Sequence, residues 1–137
     1  MNDRPSAVEL LRAVERFLED AAVPGLDGVQ RYHARVAANV VAIVAREIET
    51  EDAHQRAEWA GLSGLLGIEA ALPPDRAARC AALLERNAEL SRRIRAGDAD
   101  AGPWRDRVLA HLRETVAAKL EVARPPRQKR NGGPGGP

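Results

Sequence analysis

The sequence predicts an all-α protein, an up-and-down bundle of about five helices that ends in a disordered C-terminal tail. Alanine dominates the 45% hydrophobic content, with 26 alanines beside 14 leucines, 11 valines and 4 isoleucines, and alanine is the best helix former. Apolar residues recur every three or four positions along segments that glycine and proline separate, which is the periodicity of amphipathic helices. Because only 3% of the residues are aromatic, aliphatic side chains must form the core.

Composition divides the 137 residues into a domain over 1–123 and a tail over 124–137. The tail reads RPPRQKRNGGPGGP, whose four basic residues, four prolines and four glycines are typical of disorder. Without those four, 17 of the 21 basic side chains remain against 20 acidic ones, so residues 1–123 carry a formal charge of −3. Since no aromatic side chain interrupts the basic cluster, we expect no nucleic-acid function.

The sequence also predicts a cytoplasmic protein. Cys80 is the single cysteine, which excludes an internal disulfide and any site with several thiolates. The longest apolar run, 40–45, is far shorter than the roughly 20 residues of a membrane span. The N-terminus carries acidic residues where a signal peptide would be basic.

The first helix should start at Ser6, which forms a capping box with Glu9, and end at Pro24 and Gly25. A second helix is expected over 27–49, with Asp27 as N-cap. Its wide apolar arc, which we expect to face the core, comprises Val29, Tyr32, Val36, Ala37, Val40, Val41, Ile43, Val44 and Ile48. A separate strip of Ala38, Ala42 and Ala45 would allow another helix to approach closely.

Three further helices complete the prediction. One over 52–66 carries Trp59 and three leucines, and Gly67 should end it. The next follows the start signal 73–75, continues to about Ala96 and presents Ala77, Cys80, Leu83, Leu84, Leu90 and Ile94. The last runs over 103–123 after a cap at Asp98 or Asp100, and aligns Val108, Leu109, Leu112, Val116 and Leu120.

The sequence carries no motif that defines an enzyme or a cofactor site. The phosphate-binding, dinucleotide-binding, zinc-protease and hydrolase patterns are all absent. Glu51 and His54 have the spacing of half a di-iron site, but no second Glu-x-x-His pair exists. We therefore predict no metal, no cofactor and no catalysis, and we interpret Cys80 as a buried, inert thiol.

Polar residues on apolar faces are the strongest functional signal. His33 and Glu47 point into the arc of the second helix, yet 14 residues, about 21 Å, separate them, so they cannot pair within one helix. Tyr32, Arg35 and Asn39 could present donors along one side. On the fourth predicted helix, Asn87 and Ser91 lie one turn apart in the apolar stripe. Such groups require hydrogen bonds from other helices, a ligand or a partner chain.

Four segments resemble domain-of-unknown-function family 6285, which comprises small bacterial helical proteins. They are DRPSAVELL (3–11), RYHARVAAN (31–39), IRAGD (94–98) and HLRETVAAKL (111–120), so the resemblance covers nearly all of 3–122. Tyr32 stands where that family is expected to have Phe. Members of that family are commonly encoded beside acyl-CoA dehydrogenase-like flavoenzymes and aminoglycoside-phosphotransferase-like kinases, so the resemblance implies an accessory role for this chain in the pathway of those neighbouring enzymes.

Two functional hypotheses follow. The first is a non-catalytic interaction module that binds such an enzyme, or a second copy of itself, through an exposed apolar helix face. The second is a small-molecule binding protein whose site, for an acyl or phosphorylated metabolite, comprises Tyr32, His33, Arg35 and Asn39. Arg35 would bind an anion, and His33 would relay protons.

Overall fold

The computed structural model describes residues 4–124 as a bundle of four helices. Helix α1 begins as Ala7–Phe17, α2 spans Gly28–Leu66, α3 spans Arg76–Arg95 and α4 spans Pro103–Ala123. The all-α prediction is confirmed, with four helices rather than about five and no strand within 4–124. None of the helices described is both long enough and apolar enough to cross a membrane. Except for Arg124, the predicted tail lies outside the described residues.

Helix α1 begins with the predicted capping box. The Glu9 N–H donates to the Ser6 hydroxyl at 3.2 Å, and the Ser6 N–H donates to the Glu9 carboxylate at 2.7 Å. The helix then continues through a π-helical turn, Leu18–Ala22, and a last turn, Val23–Gly25. Because Pro24 lacks an N–H and its ring crowds the carbonyl four residues back, the wider turn accommodates it.

Helix α2 is one continuous helix of 39 residues, about 58 Å long, where the sequence predicts two. The predicted break near residue 50 was wrong, because neither glycine nor proline occurs there. Thr50 is compatible with the helix because its hydroxyl donates to the Arg46 carbonyl at 2.8 Å. Asp27 occupies the N-cap position, but its carboxylate accepts from Arg31 at 3.2 Å instead of capping a backbone N–H.

The C-terminus of α2 is closed by a glycine and by side chains of α4. Gly67 ends the helix as predicted, in the left-handed conformation at φ 68°. Trp104 donates its indole N–H to the Leu65 carbonyl at 3.0 Å, and the Arg107 guanidinium donates to the Gly64 carbonyl. These carbonyls lack partners within the helix and carry partial negative charge, so both contacts stabilise the end of α2.

The other helices pack along α2 in different directions. α1 runs antiparallel to the first half of α2, since Arg12 near its start binds Glu49 at 2.8 Å. Residues 68–75 return along the second half of α2, so α3 begins with Arg76 beside Glu51 and runs parallel to α2. α4 then runs antiparallel to α2. The direction of α3 departs from a strict up-and-down order because eight extended residues reach roughly 26 Å.

The starts of α3 and α4 test two predicted caps. Asp75 caps α3 as predicted, since its carboxylate accepts from the Ala78 N–H at 2.8 Å. The predicted cap of α4 at Asp98 or Asp100 was wrong. Gly102 occupies that position at φ 83°, a conformation that favours glycine, and Pro103 starts the helix.

The core lies around the second half of α2. It comprises Trp59, Leu62, Leu65, Leu66, Leu83, Leu90 and Val108. Leu62 is 0% exposed. Trp59 donates its indole N–H to the Ala70 carbonyl at 3.0 Å, which holds the returning segment against the helix. This half of α2 is therefore covered on two sides, by α3 and by α4.

Two polar side chains are buried at the edge of this core. Arg86 is 6% exposed, its guanidinium lies 3.4 Å from the centre of the Trp59 ring, and it donates to the Ser63 hydroxyl. Burial lowers the pKa of Arg86, and the aromatic contact offsets part of that desolvation. His111 packs directly on Gly61, where a β-carbon would collide with its ring. Gly61 therefore serves close helix packing.

Candidate interaction surface

The first half of α2 presents two opposite faces. Its buried face is a strip of small residues: Ala34, Ala38, Ala42 and Ala45. At about 100° per residue, the larger aliphatic side chains lie on the other side of the helix. We call Val29, Val36, Val40 and Val44 the valine face, and all four are exposed. The prediction that this arc faces the core was wrong for most of its residues, of which Val41 and Ile43 alone are half-buried.

The alanine strip is buried because α1 packs on it. Short side chains let the α1 backbone approach closely, as the sequence predicts for this strip. Arg12 fixes the contact by pairing with Glu15 within α1 and with Glu49 of α2, each at 2.8 Å. α1 therefore covers the side of α2 that has the least apolar area, and the valine face has no cover within 4–124.

Helix α4 also leaves most of its predicted core stripe exposed. Val108 is buried, but Leu109, Leu112, Val116 and Leu120, which we call the α4 stripe, are exposed. The reason is that α4 turns Trp104 and His111 toward α2, which rotates the stripe away from it. Leu84 of α3, predicted as core, is 73% exposed. Apolar side chains that the sequence assigns to a core therefore face solvent on three helices.

The four predicted ligand-binding residues do not share one site. Arg35 and Asn39 line a groove between α1 and α2, together with Glu15, Glu19, Val23, Ala38, Ala42 and Arg46. Tyr32 and His33 lie side by side outside that groove, with ring centres 5.8 Å apart. All four side chains are exposed. The structure therefore brings them together only as two separate pairs.

The polar residues of α3 are partly satisfied between helices. The Asn87 amide donates to the Glu58 carboxylate at 2.8 Å and to the Leu83 carbonyl at 3.0 Å, so it has the structural role that polar core residues commonly have. Ser91, one turn later, is exposed. Cys80 is also exposed, which corrects the prediction of a buried thiol, and its sulfur lies 3.6 Å from the Gln55 amide.

A small cleft between α2 and α4 gathers ionisable side chains. Its lining includes His54, Glu58, His111 and Glu114. Within 4–124, however, no group of three or more potential ligands has the geometry to hold a metal ion. His54 lies 3.6 Å from Glu121, so one of these side chains already has an acidic neighbour. The cleft thus has the composition of a metal site without its geometry.

Ion pairs hold α3 in register on α2. Arg76 binds Glu51 at 2.8 Å, and Arg79 binds Asp52 at 3.0 Å. The hydrogen bond from Arg76 lowers the pKa of Glu51, and a bond from Arg56 lowers the pKa of Asp52. Both carboxylates therefore already form ion pairs with arginine, and we assign them a structural role.

These observations define a class of protein: an all-α chain built along one long helix, with apolar faces that lack a partner in the described part. A family model, described as a domain of unknown function (DUF6285), matches residues 24–126. The chain belongs to this family, and the match covers α2, α3 and α4 while α1 lies almost entirely before it. Comparison with curated proteins and with solved structures gave no match.

Proposed function

We propose that this chain is a non-catalytic interaction module, and that the α4 stripe is the surface on which another protein binds. The observation that carries the proposal is the exposure of four aligned aliphatic side chains on a helix already anchored at both ends. Trp104 and Arg107 hold its start, and the Arg46 guanidinium donates to the Val122 carbonyl at 2.8 Å near its end. A rigid apolar ridge is well suited to association because it loses little conformational freedom on binding.

The partner that fits best is a larger enzyme. The family resemblance implies an acyl-CoA dehydrogenase-like flavoenzyme or an aminoglycoside-phosphotransferase-like kinase, and we place the complex in the bacterial cytoplasm. Exposed charged side chains, among them Arg105 and Arg113, border the stripe on α4. An apolar centre with a charged rim is the usual anatomy of a protein interface.

Co-expression with the two neighbouring enzymes tests the proposal. The full chain, tagged, should retain one of them at micromolar concentration, and light scattering should give the mass of a mixed complex. Val116→Asp, at a position 54% exposed, should weaken binding by roughly 30-fold or more, because it places a charge in an apolar contact. Ala117→Asp puts the same carboxylate on the solvated side of α4 and should have no effect. Retention of neither enzyme would overturn the proposal.

A small-molecule site is the second candidate, and one observation favours it. Arg46 Nη2, in the groove with Arg35 and Asn39, is buried without a hydrogen-bond partner. An anionic acyl or phosphorylated metabolite would supply the missing acceptor. Titration calorimetry with acetyl-CoA and with inorganic phosphate tests this: Arg35→Leu should abolish binding, whereas His33→Leu, outside the groove, should leave it unchanged. Absence of heat with both probes would remove the candidate.

A further inference from the structure

Two polar residues lie on the same side of α2 as the valine face, at equal distances before and after Val40. Along α2 the positions alternate by four and three residues: Val29, His33, Val36, Val40, Ile43 and Glu47. This is the spacing with which one helix packs along another. His33 lies seven residues before Val40, and Glu47 lies seven residues after it. The face therefore carries a basic and an acidic group at equal distances from Val40.

Neither polar group has a hydrogen bond or an ion pair within 4–124, although Glu47 lines a groove with Lys119 and its charge helps to raise the pKa of Arg76. The His33 imidazole has the Tyr32 ring beside it and no hydrogen bond, and Glu47 forms no ion pair within 4–124. Both side chains are exposed. They are about 21 Å apart along the helix, so they cannot reach each other in one chain.

We propose that a second copy of this chain occupies the valine face, with the two α2 helices antiparallel and a two-fold axis at Val40. In that arrangement residue i of one copy faces residue 80 − i of the other. His33 then faces Glu47 of the second copy, and the same pair forms again on the other side of the axis. Val36 likewise faces Val44 of the second copy, so apolar side chains cover each other between the two polar pairs.

Charge complementarity favours a second copy over an unrelated protein on this face. A parallel pairing would place His33 against His33 and Glu47 against Glu47, which brings like charges together. The antiparallel pairing gives two imidazole–carboxylate contacts, in each of which the His33 ring can donate to Glu47, and it fixes the register, as polar positions do in helix pairs. A partner of another sequence would need the same charges in mirrored order.

The extent of the face agrees with this pairing. With the axis at Val40, Gly28 faces Asp52 of the second copy, so the overlap covers 28–52. α2 begins at Gly28, and α3 begins to cover α2 at Glu51 and Asp52. The overlap thus runs from the start of α2 to the residues where α3 begins, and the last turn of α4 borders it at Arg46 and Glu47. α1 does not obstruct it, because α1 lies on the alanine strip at the opposite side.

This inference goes beyond the proposed function, because it assigns a different face to a copy of the same chain. Sedimentation equilibrium on the full chain tests it, with a two-chain mass expected at about 100 μM. Val40→Asp places a carboxylate from each copy at the two-fold axis, where the two repel each other, and should raise the dimer Kd by roughly 30-fold or more. Ala60→Asp, exposed on the other side of α2, is the matched control and should leave the Kd unchanged.

A charge exchange tests the register. In His33→Glu, the new carboxylate faces Glu47 of the second copy. In Glu47→His, the new imidazole faces His33 of the second copy. Each single variant therefore replaces an imidazole–carboxylate contact with two like groups and should raise the dimer Kd about tenfold. The double variant H33E/E47H restores both opposite-charge pairs and should return the Kd to within about threefold of the original. These positions are exposed in the single chain, and circular dichroism should show that every variant retains its helices.

Each result has one meaning. A single-chain mass at about 100 μM overturns the inference, and so does a dimer that Val116→Asp dissociates while Val40→Asp does not. If each single exchange raises the Kd and H33E/E47H does not lower it again, the proposed register is overturned. A dimer that behaves as expected but retains neither neighbouring enzyme supports this inference and removes the proposed function instead.

Discussion

The two halves of α2 are covered by different numbers of helices and bury different kinds of side chain. The second half is covered by α3 and α4 and encloses the leucines around Leu62. The first half is covered by α1, with the last turn of α4 reaching only its end at Arg46, and it buries only alanines. Large side chains are present in both halves, so composition does not explain the difference. What differs is the number of covering helices: one helix can cover one side of α2, and the opposite side stays exposed.

Small residues have a different role in each half of α2. In the second half, Gly61 makes room for His111, and the close contact belongs to a packed core. In the first half, the alanine strip lets α1 approach while contributing little apolar area of its own. A protein that needed only a stable monomer would place its valines, not its alanines, beneath α1. The arrangement leaves the larger apolar side chains of this half exposed, and the proposed dimer would bury them.

The largest effect should come from the core of the second half. Leu62→Ala removes a fully buried side chain and should lower the free energy of unfolding by about 3 kcal/mol, through lost apolar burial and the cavity left behind. Urea unfolding below the dimer concentration is the measurement. Val40→Ala, the matched change in the first half, should cost less than about 1 kcal/mol under the same conditions. Equal losses would show that the two halves do not differ as described.

A methyl group at the Gly61 contact should have the next largest effect. Gly61→Ala places a β-carbon against the His111 ring, and the displacement of α4 should cost about 2 kcal/mol, measured by urea unfolding. Gly64→Ala is the control, because its β-carbon meets only Arg107 Nη2 at 3.9 Å. Higher helix propensity should then stabilise the chain by up to about 1 kcal/mol. The same sign for both variants would contradict this account of the helix contact.

Removal of the α1 cap should act on the first half alone. Ser6→Ala deletes the hydroxyl that accepts from the Glu9 N–H and should cost about 1 kcal/mol. Hydrogen exchange should become faster at the amides of α1 and stay unchanged at the core of the second half. If α3 and α4 amides also exchanged faster, the two halves would unfold as one unit, and the comparison would not describe separable regions.

The smallest effect concerns pH and lies in the second half. Hydrogen bonds from Arg92 and Arg93 lower the pKa of Glu89 to about 2, from an ordinary value of 4.5. A carboxylate whose pKa is depressed in the folded state stabilises the fold above its unfolded pKa, and this contribution is lost as pH falls from about 4.5 to about 2. Glu89→Gln should therefore reduce the acid sensitivity of unfolding in that window. Because Glu89 is half-buried and its pairs stay in contact with water, we expect a small change, and Glu85→Gln, which has no such pair within 4–124, should give none.

The helices themselves were largely predictable, because the signals that begin and end them are local. The capping box at Ser6, the N-cap at Asp75 and the stop at Gly67 each depend on one turn of chain, and each is confirmed. Two local predictions were wrong where the signal was weak. A break was predicted near residues 50 and 51, but neither residue disrupts a helix. An N-cap of α4 was predicted at Asp98 or Asp100, but Gly102 occupies that position.

The candidate surfaces could be read from the sequence as apolar faces, but not as exposed ones. Hydrophobic periodicity reports which residues avoid water and is silent about what covers them. The valine face and the α4 stripe therefore looked like core, and Cys80 looked buried. The symmetric positions of His33 and Glu47 about Val40 were a signal already present in the sequence. Its meaning depended on the face being open.

The sequence by itself determined the helical class and most of the helix ends, because propensity, capping and periodicity act over a few neighbouring residues. Only the tertiary structure decided that α2 is continuous, that residues 68–75 return to make α3 parallel to it, and that α1 packs on alanines rather than valines. Those choices depend on contacts between residues far apart in the chain, such as Arg12 with Glu49 and Trp104 with Leu65. Packing selects among faces that periodicity alone treats as equal.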